Sequence, residues 1–206
     1  HDQHGKGDDH GKAEKAGDHA GHDHHHHHHG EIDPHAFQDP ANVMVYARNI
    51  SAALAKADPA GKDVYKANAE AYQAQLTELD AWATRQFAAI PKAKRKVITS
   101  HDAFGYLGAR YGITFLAPQG LSTDSEASAK DVAALIRQIK KEGIKAVHVE
   151  NMTNPRLLQQ LSREAGVPMG AALYADALSA PGGPADTYLT LMRHNIHELS
   201  SSMKLN

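Results

Sequence analysis

At 206 residues the chain is long enough for one large domain, or one domain with appendages, and 41% hydrophobic residues suffice for a packed core. No apolar run reaches the roughly 18–20 residues of a membrane-spanning helix, and 22 Lys plus Arg against 24 Asp plus Glu offer no basic surface for nucleic acid. Cysteine is absent, which excludes disulfides, thiolate metal sites and cysteine nucleophiles, whereas histidine is abundant at 16 copies.

Eleven of those histidines fall in the first 29 residues: His1, His4, His10, His19, His22 and the run His24, His25, His26, His27, His28, His29. Their neighbours are Asp, Gly, Lys and Ala with no apolar periodicity, so residues 1–30 are expected to be disordered, because burial cannot offset their chain entropy. Such a tract can bind metal weakly at several places, and six consecutive histidines also equal the length of a purification tag. The opening lacks Met and an apolar signal stretch, as expected of a chain whose targeting peptide has been removed, or of a piece of something longer.

Residues 31–92 read as a turn followed by helix. Asp33-Pro34-His35-Ala36-Phe37-Gln38-Asp39-Pro40 carries the turn, and a break is expected at Asp58-Pro59-Ala60-Gly61. Beyond it Tyr65, Tyr72, Leu76, Leu79, Ala83 and Phe87 share a helical stripe, in a rod of about 29 residues and roughly 44 Å. From residue 93 onward β and α signals alternate. Strands are expected at 96–100, 113–116, 146–149 and 171–174, and helices at about 103–111, after the Ser128 capping position, after Asn154-Pro155, and from Asp186 to about Met203. Four β-then-α units imply an α/β fold with a four-stranded parallel sheet flanked by helices.

Ligands of such sheets lie beyond the carboxyl ends of the strands. His101 follows the first expected strand, Glu150 ends the third and Asp176 follows the fourth, while His35 opens the long helical region and can reach the same edge. Imidazoles with one carboxylate suit zinc. His148 between two valines reads as a satisfied strand residue, and His194 and His197 as surface or packing residues.

Ser100-His101-Asp102-Ala103-Phe104-Gly105-Tyr106, Gly120-Leu121-Ser122-Thr123-Asp124-Ser125-Glu126, Val149-Glu150-Asn151 with Asn154-Pro155-Arg156-Leu157, Leu173-Tyr174-Ala175-Asp176-Ala177-Leu178-Ser179 and the Asp33–Pro40 segment form one pattern. Together they closely resemble the zinc-specific solute-binding proteins of bacterial ABC importers, over about residues 31–206. The resemblance implies two α/β lobes joined by a long rigid helix, with one metal ion in the cleft between them. It implies His35, His101 and Asp176 as metal ligands and residues 1–30 as an auxiliary His-rich loop. The family's first histidine has no counterpart here. Residues 31–92 then correspond to the end of the N-terminal lobe and the inter-lobe helix, and 93–206 to the C-terminal lobe. A neutral imidazole needs a partner on its second nitrogen, for which Asp102, Glu126 and Glu150 are candidates. The implied function is capture of Zn²⁺ in the periplasm by a monomer that delivers it to a membrane permease, with a periplasmic zinc chaperone as a further partner. A fully coordinated ion argues for carriage and against catalysis. Two other readings stand beside it: a metal-storage or metallochaperone module working through the His-rich tract, and a metal-dependent hydrolase built on the adjacent His101-Asp102 pair.

Overall fold

A computed structural model describes residues 32–122 and 127–206. The expected disorder and metal binding of residues 1–30, and Glu126, lie outside the described residues. After a 3-10 turn at Ala36–Gln38, helix α1 spans Pro40–Ala57. Its start is dictated locally: Asp39 accepts a hydrogen bond from the Ala41 amide, and Pro40 takes the first helical position, where no amide is needed. The break comes at Asp58 and Pro59, and α2 runs Lys62–Ala88. Its 27 residues make a rod of roughly 40 Å. Leu76, Leu79, Ala83 and Phe87 of the expected stripe are buried, whereas Tyr65 and Tyr72 on the first half of α2 are only half-buried. That half lies against α1, leaving an apolar groove lined by Val43, Tyr46, Ile50, Leu54, Tyr65 and Tyr72.

Strand β1 (Lys96–Ile98) is followed by α3 (Gly105–Tyr111), and β2 (Thr114–Leu116) by α4 (Ala129–Glu142). The two strands pair in parallel, Val97 opposite Phe115. Ser128 caps α4 by accepting from the Asp131 amide, and Gly143 ends it at φ 66°, a left-handed conformation that glycine adopts without a Cβ penalty. Helix α5 (Arg156–Ala165) starts where the Asn154 side chain accepts from the Arg156 amide. Helix α6 (Tyr188–Met203) begins with a reciprocal cap between Thr187 and Thr190.

The expected four-stranded sheet is not formed as such. Among the described residues two strands make a regular ladder, and the expected third and fourth segments touch their neighbours through single parallel bridges, Ile98 with Val147 and Glu150 with Leu173. The bonding shows why the ladder stops. The Ile98 amide donates to Ala146 O (2.8 Å) and the His148 amide to Ile98 O (2.9 Å). At the next step the Ser100 amide donates to the Glu150 carboxylate (2.9 Å), so a side chain stands where a strand carbonyl would continue the ladder. Between the third and fourth segments the mismatch is one residue. Gly170 donates to Val147 O and Leu173 to Val149 O, three residues against two, and the Ala171 carbonyl inside the bulge is taken by the His148 ring.

Helices cover both faces. Val97 belongs to a core with Leu76, Phe87, Phe104, Leu107, Leu191 and Ile196, drawn from α2, α3 with the residue that precedes it, and α6. Its neighbour Ile98 faces Leu135, Ile139, Leu158 and Leu161 of α4 and α5 on the other side. Alternation along a doubly buried parallel strand produces this division. It leaves the carboxyl edge open for chemistry.

Candidate metal centre

His101 stands directly past β1, in the splayed region created by Glu150, and is 1% exposed. His35 sits at the start of the 3-10 turn that precedes α1 and is 2% exposed. Asp176 comes from the loop after the fourth segment, and its side chain is 32% exposed. These residues lie 66 and 75 positions apart in sequence, yet the structure brings one ligand atom from each within 4.8 Å of the others. His35 Nε2 is 3.2 Å from Asp176 Oδ1, and His101 Nε2 is 3.2 Å from Asp176 Oδ2. The edge of a zinc tetrahedron with bonds of 2.0–2.1 Å is about 3.3 Å, so each nitrogen–oxygen separation, one to each carboxylate oxygen, matches the spacing of two donors on such an ion. The group opens into a cavity of about 420 Å³ whose wall also includes Pro34, Phe37, Leu121 and Ser122.

Both imidazoles are held from behind by carboxylates. Asp33 Oδ1 accepts from the His35 backbone amide (2.9 Å) and lies 2.8 Å from His35 Nδ1. Glu150, 1% exposed, contacts His101 Nδ1 through Oε2, while its Oε1 accepts from the amides of Ser100 (2.9 Å) and His101 (3.2 Å). An ionised carboxylate only accepts, so the proton of each neutral ring belongs on Nδ1 and the Nε2 lone pair points forward. His101 Nε2 is buried without a hydrogen-bond partner among the described residues. With both rings neutral in this tautomer, two lone pairs confront a carboxylate with no donor between them, an arrangement relieved by a bound cation or by a proton on Nε2. The same charges act on His101 itself. Burial alone would lower its pKa, but Glu150 and then Asp176 outweigh burial and raise it above the ordinary histidine value.

Of the candidates for orienting the rings, Glu150 takes that position on His101. Asp102 makes no hydrogen bond to either ring among the described residues, and its carboxyl is pushed above the ordinary Asp value by burial and by the nearby Asp33. Asp102 is also outside the donor group, so the His101-Asp102 pair does not form the adjacent metal-binding pair of the hydrolase reading. Asp33 was not expected in this role. Its signal was present as an acid two residues before a histidine across Pro34, which stiffens the link. His148 donates Nδ1–H to Ala171 O (2.7 Å) and lies 2.8 Å from Ser202 Oγ through Nε2. His194 is bonded to Ala172 O (2.9 Å), so both are occupied in packing.

The sequence matches, over residues 3–202, the model of the family described as "ZnuA: Zinc-uptake complex component A periplasmic". It is 36% identical over 180 residues to the manganese-binding lipoprotein MntA of Bacillus subtilis, covering 84% of this chain and 58% of that protein. It is 30% identical over 174 residues to the iron ABC transporter substrate-binding lipoprotein MtsA of Streptococcus pyogenes serotype M1, covering 84% and 56%. Among solved structures, the periplasmic zinc-binding protein TroA from Treponema pallidum superposes with a TM-score of 0.82 at 30% identity, covering 85% of this chain and 65% of that one. A manganese-bound periplasmic metal-binding protein from Candidatus Liberibacter asiaticus gives 0.76 at 28% identity, covering 85% and 65%. The chain thus spans little more than half the length of the curated relatives it matches. On the family match and these identities, the chain belongs to the family described as zinc-uptake complex component A, periplasmic.

Proposed function

We propose that this chain captures a divalent transition-metal ion, with Zn²⁺ preferred, outside the cytoplasmic membrane and surrenders it to the permease of an ABC importer. In this reading His35, His101 and Asp176 are the ligands, and Asp33 and Glu150 orient the rings. The observation that carries it is the confrontation of two Nε2 lone pairs with one carboxylate at 3.2 Å. Two nitrogens and one oxygen give the ion a residual charge of about +1, and zinc's tetrahedral preference leaves a fourth position that these three do not fill. Relatives are named for manganese, iron and zinc, so the metal is argued from the donors. Nitrogen donors favour zinc over Mn²⁺, which stands at the weak end of the divalent series. Residues 31–92 then supply the link between lobes and 93–206 the second lobe, with residues 1–30 as an auxiliary store.

The test is a zinc titration of the full chain in which the tract histidines are replaced by Gln, alongside the same protein carrying His101→Ala or Asp176→Ala. The tract-substituted parent should keep one tight equivalent that both variants lose, with Mn²⁺ competing poorly for it. Unchanged stoichiometry and affinity in both variants would remove the proposal. Loss of all tight binding on tract substitution alone would favour the storage reading.

A further inference from the structure

The three donors are not equally restrained. Both imidazoles are buried and anchored through Nδ1, whereas among the described residues the Asp176 carboxylate is paired only with the two rings it faces. Its position must therefore be set by the backbone beneath it. Ala175 is 1% exposed, and its carbonyl accepts a hydrogen bond of 3.2 Å from Gln38 Nε2. Gln38 is itself fully buried and belongs to the turn that starts at His35, its backbone N–H donating to His35 O (3.0 Å). One side chain thus connects the segments carrying two of the ligands. We propose that Gln38 is a positioning residue of the metal centre, holding the Ala175 carbonyl so that the Asp176 carboxylate stays within reach of the two imidazoles. Its loss would speed the release of a bound divalent cation. This rests on the metal-carrier reading and names a determinant of release that the ligands alone do not contain.

Two features separate positioning from packing. Gln38 Oε1 is buried with no hydrogen-bond partner among the described residues. Replacing Gln38 by Met, similar in length and unbranched, removes one made hydrogen bond and one unmade one, and these act oppositely on stability. The turn also remains attached through a second bond, Tyr188 Oη donating to Phe37 O at 2.8 Å. The effect of Gln38→Met should therefore concentrate at the loop carrying Asp176.

The experiment uses the full 206-residue chain as wild type, Gln38→Met and His101→Ala. Each is loaded with Zn²⁺ and mixed with excess chelator, the His101→Ala trace identifying zinc held elsewhere. Amide exchange over residues 172–178 and the melting temperature are measured without metal. Gln38→Met should release the slowest zinc roughly three- to tenfold faster, the scale of one hydrogen bond, and exchange its 176–178 amides faster, while melting within about 3 °C of wild type. Wild-type release and exchange in Gln38→Met would overturn the proposal, as would faster release explained by a lowered melting temperature with unaltered local exchange. A wild-type chain with no slow zinc equivalent would instead sink the metal-carrier reading, and the amide exchange would still decide whether Gln38 tethers the loop.

Discussion

Glu150 places both carboxylate oxygens in use at a site where almost no water reaches. Oε1 gathers the Ser100 and His101 amides, and Oε2 fixes the His101 tautomer. The consequence for metal binding has a definite sign. With its pKa raised above the ordinary histidine value, metal-free His101 keeps its second proton to higher pH than a free imidazole does, and an incoming cation must displace it. Zinc affinity should therefore fall as pH drops through that raised value, beginning above pH 6.5. In Glu150→Gln the charge that raises the pKa is gone, so the fall should begin at lower pH. A glutamine amide can also donate to Nδ1, which moves the ring proton to the metal-facing nitrogen. Affinity at pH 8 should then drop by about ten- to a hundredfold, the usual cost of losing an orienting partner. Competition titrations from pH 5.5 to 8 check both effects, and a profile that keeps its wild-type midpoint would refute the assigned role. At this scale the sequence identified the residue types and left their pairing open. Asp102, Glu126 and Glu150 were equivalent on paper, and only the turn of the chain after β1 selects Glu150.

The helices were legible in the sequence because their signals are local: an Asp39-Pro40 start, a Ser128 cap, a glycine at 143, and apolar stripes of helical period. The strands were legible in position and only partly in pairing. Val97 and Val147 announce buried β segments, but whether a ladder closes depends on groups remote in sequence. Here the Glu150 carboxylate and the His148 ring each take a backbone partner, and the Asn195 side chain bonds both the amide (2.9 Å) and carbonyl (2.7 Å) of Tyr174. Side chains thus complete what strands begin. The His148 contact gives a stability prediction. A Cβ built on Gly170 would lie 2.4 Å from His148 Cε1 and 2.8 Å from Nδ1, against a ring bonded at both nitrogens. Gly170→Ala should therefore cost about 1–3 kcal/mol, read as a lower urea midpoint, and combining it with His148→Ala should recover part of the loss relative to additivity. Burial also lowers the His148 pKa, so the folded state favours the neutral ring. That contribution is complete above pH 6.5 and fades as pH falls toward and through the lowered value, a decline that His148→Gln should flatten.

Over the whole molecule, His35, His101 and Asp176 form no local motif. Their meeting follows from topology, since successive β segments lying in parallel put every strand end on one edge. The rule that ligands gather at that edge made two of them visible in the sequence. His35, outside the β-then-α units, needed the family resemblance as well. A cation held by all three joins the first turn, the end of β1 and the last loop, and this requires the folded chain. Its binding free energy is therefore folding free energy. At a free Zn²⁺ concentration of one hundred times the dissociation constant the gain is about 2.7 kcal/mol. For a chain of this size that corresponds to a melting temperature higher by roughly 5–11 °C. The tract histidines do not produce such a shift when they bind zinc equally in folded and unfolded chains, because only differential binding stabilises. Differential scanning calorimetry at increasing zinc should therefore show a rise that survives replacement of those histidines by Gln and disappears in Asp176→Ala. A rise that follows the tract and ignores Asp176 would mean that the cleft is not where the ion is held.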